Sequence, residues 1–423
     1  MNFQRLISDS VYSLISTLVL KAVVFISSII IARIFGPEEF GRYGIVISTV
    51  NMVMIFASLG LGMTLTKYVA ENKNNPCLLS NYVMGSISIG LVLSTIISVC
   101  LYAFSTELAV YFFHDETLSH LMRFSAFMVF SNCFIGLSVG ALQGFREFKS
   151  LFYSNVFTAV LLMALLFLTL PNGTVNDVLH AMLISSIFDN ITKFSILVCC
   201  LRKYNYKFII PTLAVYKRVT SFAVPTLLNG ICFLPFLWYS KTLLVIGDNG
   251  LYQAGLFDAA YQWLTLIMLI TGAISTAIFP VLSKNNSDFI KVYKFGILTS
   301  ITIPLLLVIV IYPLRIYIAN LYGPGYEELI DLIPVSIIIT VFYSAWSVMS
   351  KVSSAKGKPW QVFFGNIIWG GVIYIFGSDF VSKGGALELL KLMLIAWVVV
   401  CVYFSLQNFI VLKRSKFETN NSF

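Results

Sequence analysis

The chain alternates between long apolar stretches and short polar connections. The stretches reach about 20 residues, the length at which a helix crosses a ~30 Å hydrocarbon core. They predict twelve spanning helices, at residues 9–33, 43–66, 80–104, 122–144, 150–170, 176–201, 219–246, 252–280, 294–313, 327–350, 359–377 and 386–412. No connection exceeds about 18 residues, which leaves no room for a soluble domain. The pattern therefore predicts an all-α polytopic membrane protein.

Composition supports this fold class. Hydrophobic residues make up 58% of the chain and charged residues 11%, and the mean hydropathy is +0.88. Soluble domains carry roughly a quarter charged residues. The first apolar run, at residues 10–32, is too long for a cleaved signal peptide, so we expect it to stay as a helix.

The clearest interruption of the apolar pattern lies at residues 29–45, which read IIIARIFGPEEFGRYGI. Pro37 predicts the end of one helix, because proline fixes its own φ and biases the preceding residue away from helix. Gly41 and Gly44 lack a side chain, so we expect the next helix to begin close to the first.

A reduced copy of this interruption occurs at residues 244–257, which read LVIGDNGLYQAGLF. Rare residues match at an offset of 211, about half of the 423 residues: Gly36 with Gly247, Gly44 with Gly255, and residues 73–75 with 284–286. Such self-similarity predicts a duplicated molecule. We expect an N-terminal six-helix lobe at 1–203, a cytoplasmic linker at 204–218 and a C-terminal six-helix lobe at 219–423.

The basic residues predict the orientation of the chain. Of 28 Lys and Arg residues, nineteen fall on one side of the twelve-helix map, six on the other, and three within spans, namely Lys21, Lys193 and Lys241. Cytoplasmic loops of membrane proteins are enriched in Lys and Arg, so both termini are predicted to be cytoplasmic. The net charge of +9 is spread loop by loop, which argues against nucleic-acid binding.

No residue pattern indicates catalysis, a metal site or a cofactor. The seven cysteines lie in or beside apolar spans without a CxxC pair, and the three histidines are scattered. We therefore read the cysteines as small hydrophobic residues in lipid or core.

One polar stripe runs along the first predicted helix. Its members, spaced by three, four, four and seven residues, are Ser10, Ser13, Thr17, Lys21 and Ser28. At 100° per residue they share one face. Charged intramembrane residues usually face a cavity, which favours a wet face around Lys21. The alternative is that Ser and Thr join helices and Lys21 is merely buried.

Two further pairs of ionisable residues lie in predicted spans. Asp189 precedes Lys193 by four residues, the favourable order for a helical ion pair, and the pair fits either a transport pathway or a self-neutralising seam between helices. Lys241 and Asp258 lie in adjacent spans, so they either pair or Lys241 reaches the headgroups. Pro235, together with Pro225, predicts a bend in the seventh span.

Four segments carry a resemblance to a known family. They are ARIFGPEEFG at residues 32–41, LGMTLTKY at 61–68, GALQGFREFK at 140–149 and LYGPGY at 321–326. With them the chain resembles the polysaccharide (O-antigen) flippases of the Wzx type, within the multidrug/oligosaccharidyl-lipid/polysaccharide exporter superfamily. The resemblance implies two six-helix lobes around a central cavity that opens alternately to either side of the bacterial inner membrane.

The resemblance also implies a function. The expected substrate is an undecaprenyl-diphosphate-linked oligosaccharide, flipped from the cytoplasmic to the periplasmic leaflet and driven by a proton or sodium gradient. Membrane lipids, a polysaccharide polymerase and a chain-length regulator are the other expected partners. Candidate substrate-binding residues are Lys21, Lys241, Asp189 and Lys193, and candidate ion-coupling residues are Asp189 and Asp258.

Two other functions stay open. One is a multidrug or small-molecule antiporter of the same fold; drug exporters of this superfamily carry an acid in the first helix, where this chain has Lys21, which argues against export of cationic drugs. A polysaccharide polymerase or ligase usually has a large outer loop with arginines. The longest outer loop here, at residues 105–121, contains no Lys or Arg.

Overall fold

A computed structural model describes residues 3–171, 173–204, 206, 209–282, 289–356 and 358–420. These residues form thirteen helices and no strand, which confirms the all-α fold class. The helices are α1 (Phe3–Ser58), α2 (Leu61–Asn72), α3 (Pro76–Ala103), α4 (Ser105–Phe113), α5 (Leu118–Phe145), α6 (Phe148–Thr169), α7 (Val175–Lys203), α8 (Leu213–Ile231), α9 (Leu234–Ile246), α10 (Gly250–Leu282), α11 (Phe289–Tyr322), α12 (Leu329–Ala355) and α13 (Pro359–Asn420).

Within the described ranges, nine stretches are long and apolar enough to cross a membrane. Two of them, in α1 and α13, run for 48 and 49 residues. At 1.5 Å per residue each is more than twice as long as a hydrocarbon core is thick. Both contain a break and so have the length of two spans. The count of twelve stays a prediction.

The breaks fall at glycines. Gly36 adopts φ 77° and ψ 174° in α1 and is followed by Pro37, which confirms the predicted helix end. Gly385, with φ 58°, interrupts α13. Only glycine tolerates such backbone angles without strain. The predicted bend of the seventh span is a full break between α8 and α9, where Pro235 lies in the first turn of α9.

The chain divides into two compact units. Unit 1 comprises Met1–Phe35 and Ile45–Ile231, and unit 2 comprises Gly36–Gly44 and Cys232–Phe423. We call Gly36–Gly44 the corner segment. It belongs to unit 2, although the chain on both sides of it belongs to unit 1. The predicted lobe boundaries at 203 and 219 stay a prediction, and the second copy of the repeated tripeptide, at 284–286, lies outside the described residues.

Unit 1 is held together by close crossing of α2 and α5. A side chain at Gly140 would meet the backbone of Gly62, so the two helices approach without side chains between them. Thr66 Oγ1 donates to the carbonyl oxygen of Gly140 at 2.9 Å. Small residues and interhelical hydrogen bonds join helices where lipid removes the hydrophobic drive for association. Leu137 and Leu65 lie in the apolar cluster beside this crossing.

In unit 2 the corner segment packs against the start of α10. A side chain at Gly41 would meet the carbonyl oxygen of Leu251, and one at Gly255 would meet that of Pro37. The expectation that Gly41 brings its helix close to the preceding one was wrong about the neighbour, since the atoms nearest to Gly41 belong to α10. A glycine signals close approach, but its partner is decided by tertiary packing.

Two more helix ends join this contact. Gly325 adopts φ +84°, and a Cβ atom added to it would lie 3.2 Å from Pro37 Cδ. The motifs at 32–41 and 321–326 therefore meet. Gln253 of α10 donates from Nε2 to Glu328 at 3.2 Å and accepts at Oε1 from the backbone N–H of Ala386 at 2.8 Å. The side chain of Gln253 thereby ties the start of α12 to the break in α13.

Candidate functional site

The five ionisable residues predicted for the site lie in three places. Asp189 and Lys193 form an ion pair in unit 1, and Lys241 and Asp258 form another in unit 2. Lys21 lies on α1 and belongs to neither pair. Each of these places is described by itself.

The Asp189–Lys193 pair lies within α7, one helical turn apart, and both residues are buried. Asp189 Oδ1 accepts hydrogen bonds from Lys193, from Thr158 Oγ1 at 2.7 Å and from Ser154 Oγ at 3.4 Å. Both hydroxyls come from α6. The carboxylate is thus neutralised by its own helix and bound by the neighbouring one, which is the geometry of a polar seam.

A second polar contact of α7 faces α5. Asn190 Nδ2 donates to Ser131 Oγ at 2.7 Å, and Ser186 Oγ lies 2.8 Å from the same oxygen. Beside these residues is a groove of about 450 Å³ lined by Phe127, Phe130, Phe134 and Phe194, among others. None of the described residues that line this groove is charged.

The Lys241–Asp258 pair joins α9 to α10. Of the two alternatives for Lys241, the structure shows pairing: Asp258 Oδ1 binds Lys241 Nζ, and the exposed fractions of the two residues are only 8% and 7%. Lys241 Nζ also donates to the carbonyl oxygen of Gly44 at 3.5 Å. The lysine therefore reaches the corner segment as well as its acid.

The second oxygen of Asp258 is in a different situation. Asp258 Oδ2 is buried and has no hydrogen-bond partner among the described residues. It packs directly onto Gly44, where any added side chain would overlap it. The phenol groups of Tyr43, Tyr261 and Tyr326 lie within electrostatic reach of this carboxylate. Oδ1 of Asp258 is therefore bound by Lys241, whereas Oδ2 faces Gly44.

Lys21 has an exposed side chain. The buried face of this part of α1 is marked instead by Ser16, which accepts from Asn155 Nδ2 at 2.6 Å, and by Ser27, which donates to Met163 Sδ at 3.2 Å. Both partners lie on α6. Lys21 is five residues beyond Ser16, about 140° around the helix, so it points away from that contact.

Sequence reasoning missed three features of these sites. Ser16 and Ser27 lie outside the predicted polar stripe and yet make the contact with α6. The role of Gly44 as the surface beneath Asp258 was also missed, although its match with Gly255 at the fixed offset marked it as unusual. Thr158, a hydroxyl on a neighbouring helix, leaves no local signal.

The sequence matches known proteins over most of its length. Residues 6–286 match a family described as "Polysaccharide biosynthesis protein". The chain is 22% identical over 283 residues, 66% of its length, to the EPS I polysaccharide export inner membrane protein EpsE of Ralstonia solanacearum, and spans 64% of that relative. It is 23% identical over 390 residues to an uncharacterised membrane protein of Methanocaldococcus jannaschii, covering 88% of this chain and 89% of that one.

Solved structures show the same fold. A structure of the lipid II flippase MurJ in an inward closed conformation aligns with a TM-score of 0.77 at 14% identity, covering 94% of this chain and 87% of that one. An inward-facing multidrug resistance transporter of the MATE family, in the MOP superfamily, aligns with a TM-score of 0.75 at 16% identity, covering 94% and 95%. These alignments confirm the expected fold, that of a multi-pass membrane protein.

Proposed function

Because the chain belongs to the polysaccharide biosynthesis protein family, we propose that it flips an undecaprenyl-diphosphate-linked oligosaccharide, such as an O-antigen repeat unit, from the cytoplasmic to the periplasmic leaflet. The name of EpsE, a polysaccharide export protein, supports a saccharide cargo. The name of MurJ, a lipid II flippase, supports a lipid-linked one. Both termini are proposed to lie in the cytoplasm.

The exposed side chain of Lys21 is the observation that carries the choice of substrate. Lys21 lies about 12 residues, or roughly 18 Å along the helix, from Arg33. A lysine side chain extends only about 6 Å and cannot reach the headgroups from there. Placing a lysine at mid-membrane costs about 2.5–3.5 kcal/mol on insertion scales. An uncovered lysine at this depth is therefore proposed to face water in a central cavity.

A diphosphate suits such a lysine. The group carries about two negative charges and does not cross hydrocarbon unaided. Lys193 and Lys241 are already paired with acids of their own, which makes Lys21 the strongest of the proposed substrate-binding residues. Transport is proposed to be driven by a proton or sodium gradient through Asp258 or Asp189, and a polymerase and a chain-length regulator are proposed to act on the flipped product.

Deletion and complementation test this function. We expect the deletion strain to lose surface polysaccharide and to retain single lipid-linked repeat units on the inner leaflet. Lys21→Ala should fail to restore export at normal protein level, and Lys21→Arg should restore part of it, because charge matters more here than the planar fork of arginine. Lys391→Ala, in an exposed pair with Glu388, is the matched control and should restore export fully.

Other outcomes would redirect the assignment. Single repeat units on the outer leaflet would indicate a polymerase. Unchanged polysaccharide with increased sensitivity to toxic cations would indicate a drug antiporter. Full export in the Lys21→Ala strain would remove Lys21 from the mechanism.

A further inference from the structure

Three segments meet at Asp258. The acid lies on α10, its lysine partner on α9, and the orphan oxygen Oδ2 faces Gly44 of the corner segment. Lys241 also donates to the carbonyl oxygen of Gly44. The corner segment is therefore attached to α9 and α10 partly through the Lys241–Asp258 ion pair. The carboxylate of Asp258 is the group in this pair that can accept a proton.

We propose that Asp258 is a proton-binding site and that its protonation releases the corner segment from α9 and α10. This inference rests on the proposed transport function in one respect: it names the proton as the coupling ion. The attachment itself is a property of unit 2 and is measured without any substrate.

The release follows from charge balance. A proton added to Asp258 turns the carboxylate into a neutral acid, and Lys241 is left as a buried cation without a counter-charge. Breaking one side of a buried pair is strongly unfavourable. Lys241 therefore moves toward water and gives up its hydrogen bond to Gly44. The state with the pair closed binds no proton, and the open state binds one, so acidification favours opening.

Among the ionisable groups around this ion pair, Asp258 is the one that binds the proton. Among the described residues, the titratable groups that interact electrostatically with Asp258 are Lys241 on α9, Tyr43 on the corner segment, Tyr261 on α10 and Tyr326 before α12. Lysine and tyrosine ordinarily titrate far above neutral pH. Only the carboxylate takes up a proton when the solution becomes acidic.

The corner segment also carries two ion pairs of its own. Arg42 lies 3.4 Å from Glu39 and 3.8 Å from Glu38. Both acids are exposed, and these contacts stay within the segment itself. They hold its helical turn together without attaching it to α9 or α10.

The glycine contacts next to the pair make the attachment sensitive to small displacements. Pro37, Gly41 and Gly44 follow one another at spacings of four and three, as do Leu251, Gly255 and Asp258, and the two rows face each other. The backbones of the two rows touch directly, and the side chains of Phe40 and Tyr43 in the corner segment are buried. Loss of the pair at one end of this contact should loosen the whole corner segment.

Hydrogen–deuterium exchange of the full chain in lipid nanodiscs tests the attachment. Asp258→Asn imitates the protonated acid at constant pH. We expect amide exchange at residues 38–46 to rise about tenfold or more in this variant, as it does when a local opening becomes easier. Asp189→Asn removes the same charge from the other buried pair and should leave residues 38–46 at the wild-type rate. Wild-type exchange there in Asp258→Asn would overturn the proposal.

The wild-type protein tests the proton itself. After correction for intrinsic rates, exchange at residues 38–46 should rise as the pH falls from about 8 to about 5. The rise should be absent in the double variant Lys241→Gln/Asp258→Asn, which lacks both charges and removes the folding risk of a lone buried lysine. A wild-type protein insensitive to pH, or one that responds to sodium instead, would show that Asp258 is not a proton site. The Lys21→Ala variant separates the two proposals. If its export fails while residues 38–46 still respond to pH, the proton site at Asp258 works independently of substrate binding at Lys21.

Discussion

The two buried ion pairs of this protein are built in different ways. Asp189 and Lys193 stand one turn apart on a single helix, and two hydroxyls of α6 complete the carboxylate. Lys241 and Asp258 come from two helices, and one carboxylate oxygen rests on Gly44 with no hydrogen-bond partner in the described part of the chain. The residue types are the same, and the surroundings differ.

The difference teaches when each pair forms. A pair four residues apart neutralises itself as soon as its helix exists, so it enters the membrane at reduced cost. A pair between helices forms only when α9, α10 and the corner segment have assembled. The first pair lowers the cost of a polar seam, whereas the second depends on the arrangement of three segments.

The largest effect should come from Gly44→Ala. The added methyl group would occupy the position of the Asp258 carboxylate, so the pair must separate while both charges stay buried. Breaking a buried pair costs about 3–5 kcal/mol, which should appear as a lower midpoint of thermal unfolding in detergent. Gly371→Ala is the control in the same unit, because nothing lies within 4 Å of the added atom. Equal midpoints for the two variants would show that Asp258 can rearrange freely.

A double-mutant cycle should sharpen the description of the unit 1 pair. Asp189→Asn or Lys193→Met alone should each lower the unfolding free energy by about 3 kcal/mol, because a lone buried charge remains. The combination should lose clearly less than the sum of the two. If the double variant reaches the membrane at normal levels but exports no polysaccharide, the pair belongs to the transport pathway and the seam interpretation fails.

A smaller effect should follow from Thr158→Val. It removes the 2.7 Å hydrogen bond to Asp189 and keeps the shape of the side chain. A hydrogen bond to a charged group contributes about 1.5–3 kcal/mol, and we expect the low end because Ser154 and Lys193 remain. Thr302→Val, at an exposed threonine whose hydroxyl donates to the carbonyl oxygen of Leu298 in its own helix, should change stability by less than about 0.5 kcal/mol. Matching losses in both variants would mean that Thr158 contributes nothing specific.

Much of this fold could be read from the sequence, because a bilayer leaves few choices. Apolar stretches of spanning length must be helical, since lipid cannot satisfy backbone polar groups. The break at Gly36 and Pro37 follows from local backbone preferences alone. The Asp189–Lys193 pair follows from its spacing within one helix.

The missing parts all depend on contacts between distant helices. The glycine at 41 was expected against the preceding helix and lies against α10. Lys241 could pair or reach for the headgroups, and only the position of α10 decides between these. Ser16 looks like any other serine in an apolar helix until Asn155 is placed opposite it. Periodicity identifies the face of a helix, but not its neighbour.

The side chain of Gln253 has a mechanical consequence. It makes two hydrogen bonds, to Glu328 and to the N–H of Ala386. Gln253 itself lies two residues before Gly255 and five before Asp258. A shift at the start of α10 must therefore carry the start of α12 and the break of α13 with it, or rupture both bonds. The amide of Gln253 thus couples α10, α12 and α13 mechanically, so a displacement that begins at the corner segment is transmitted to helices far along the chain.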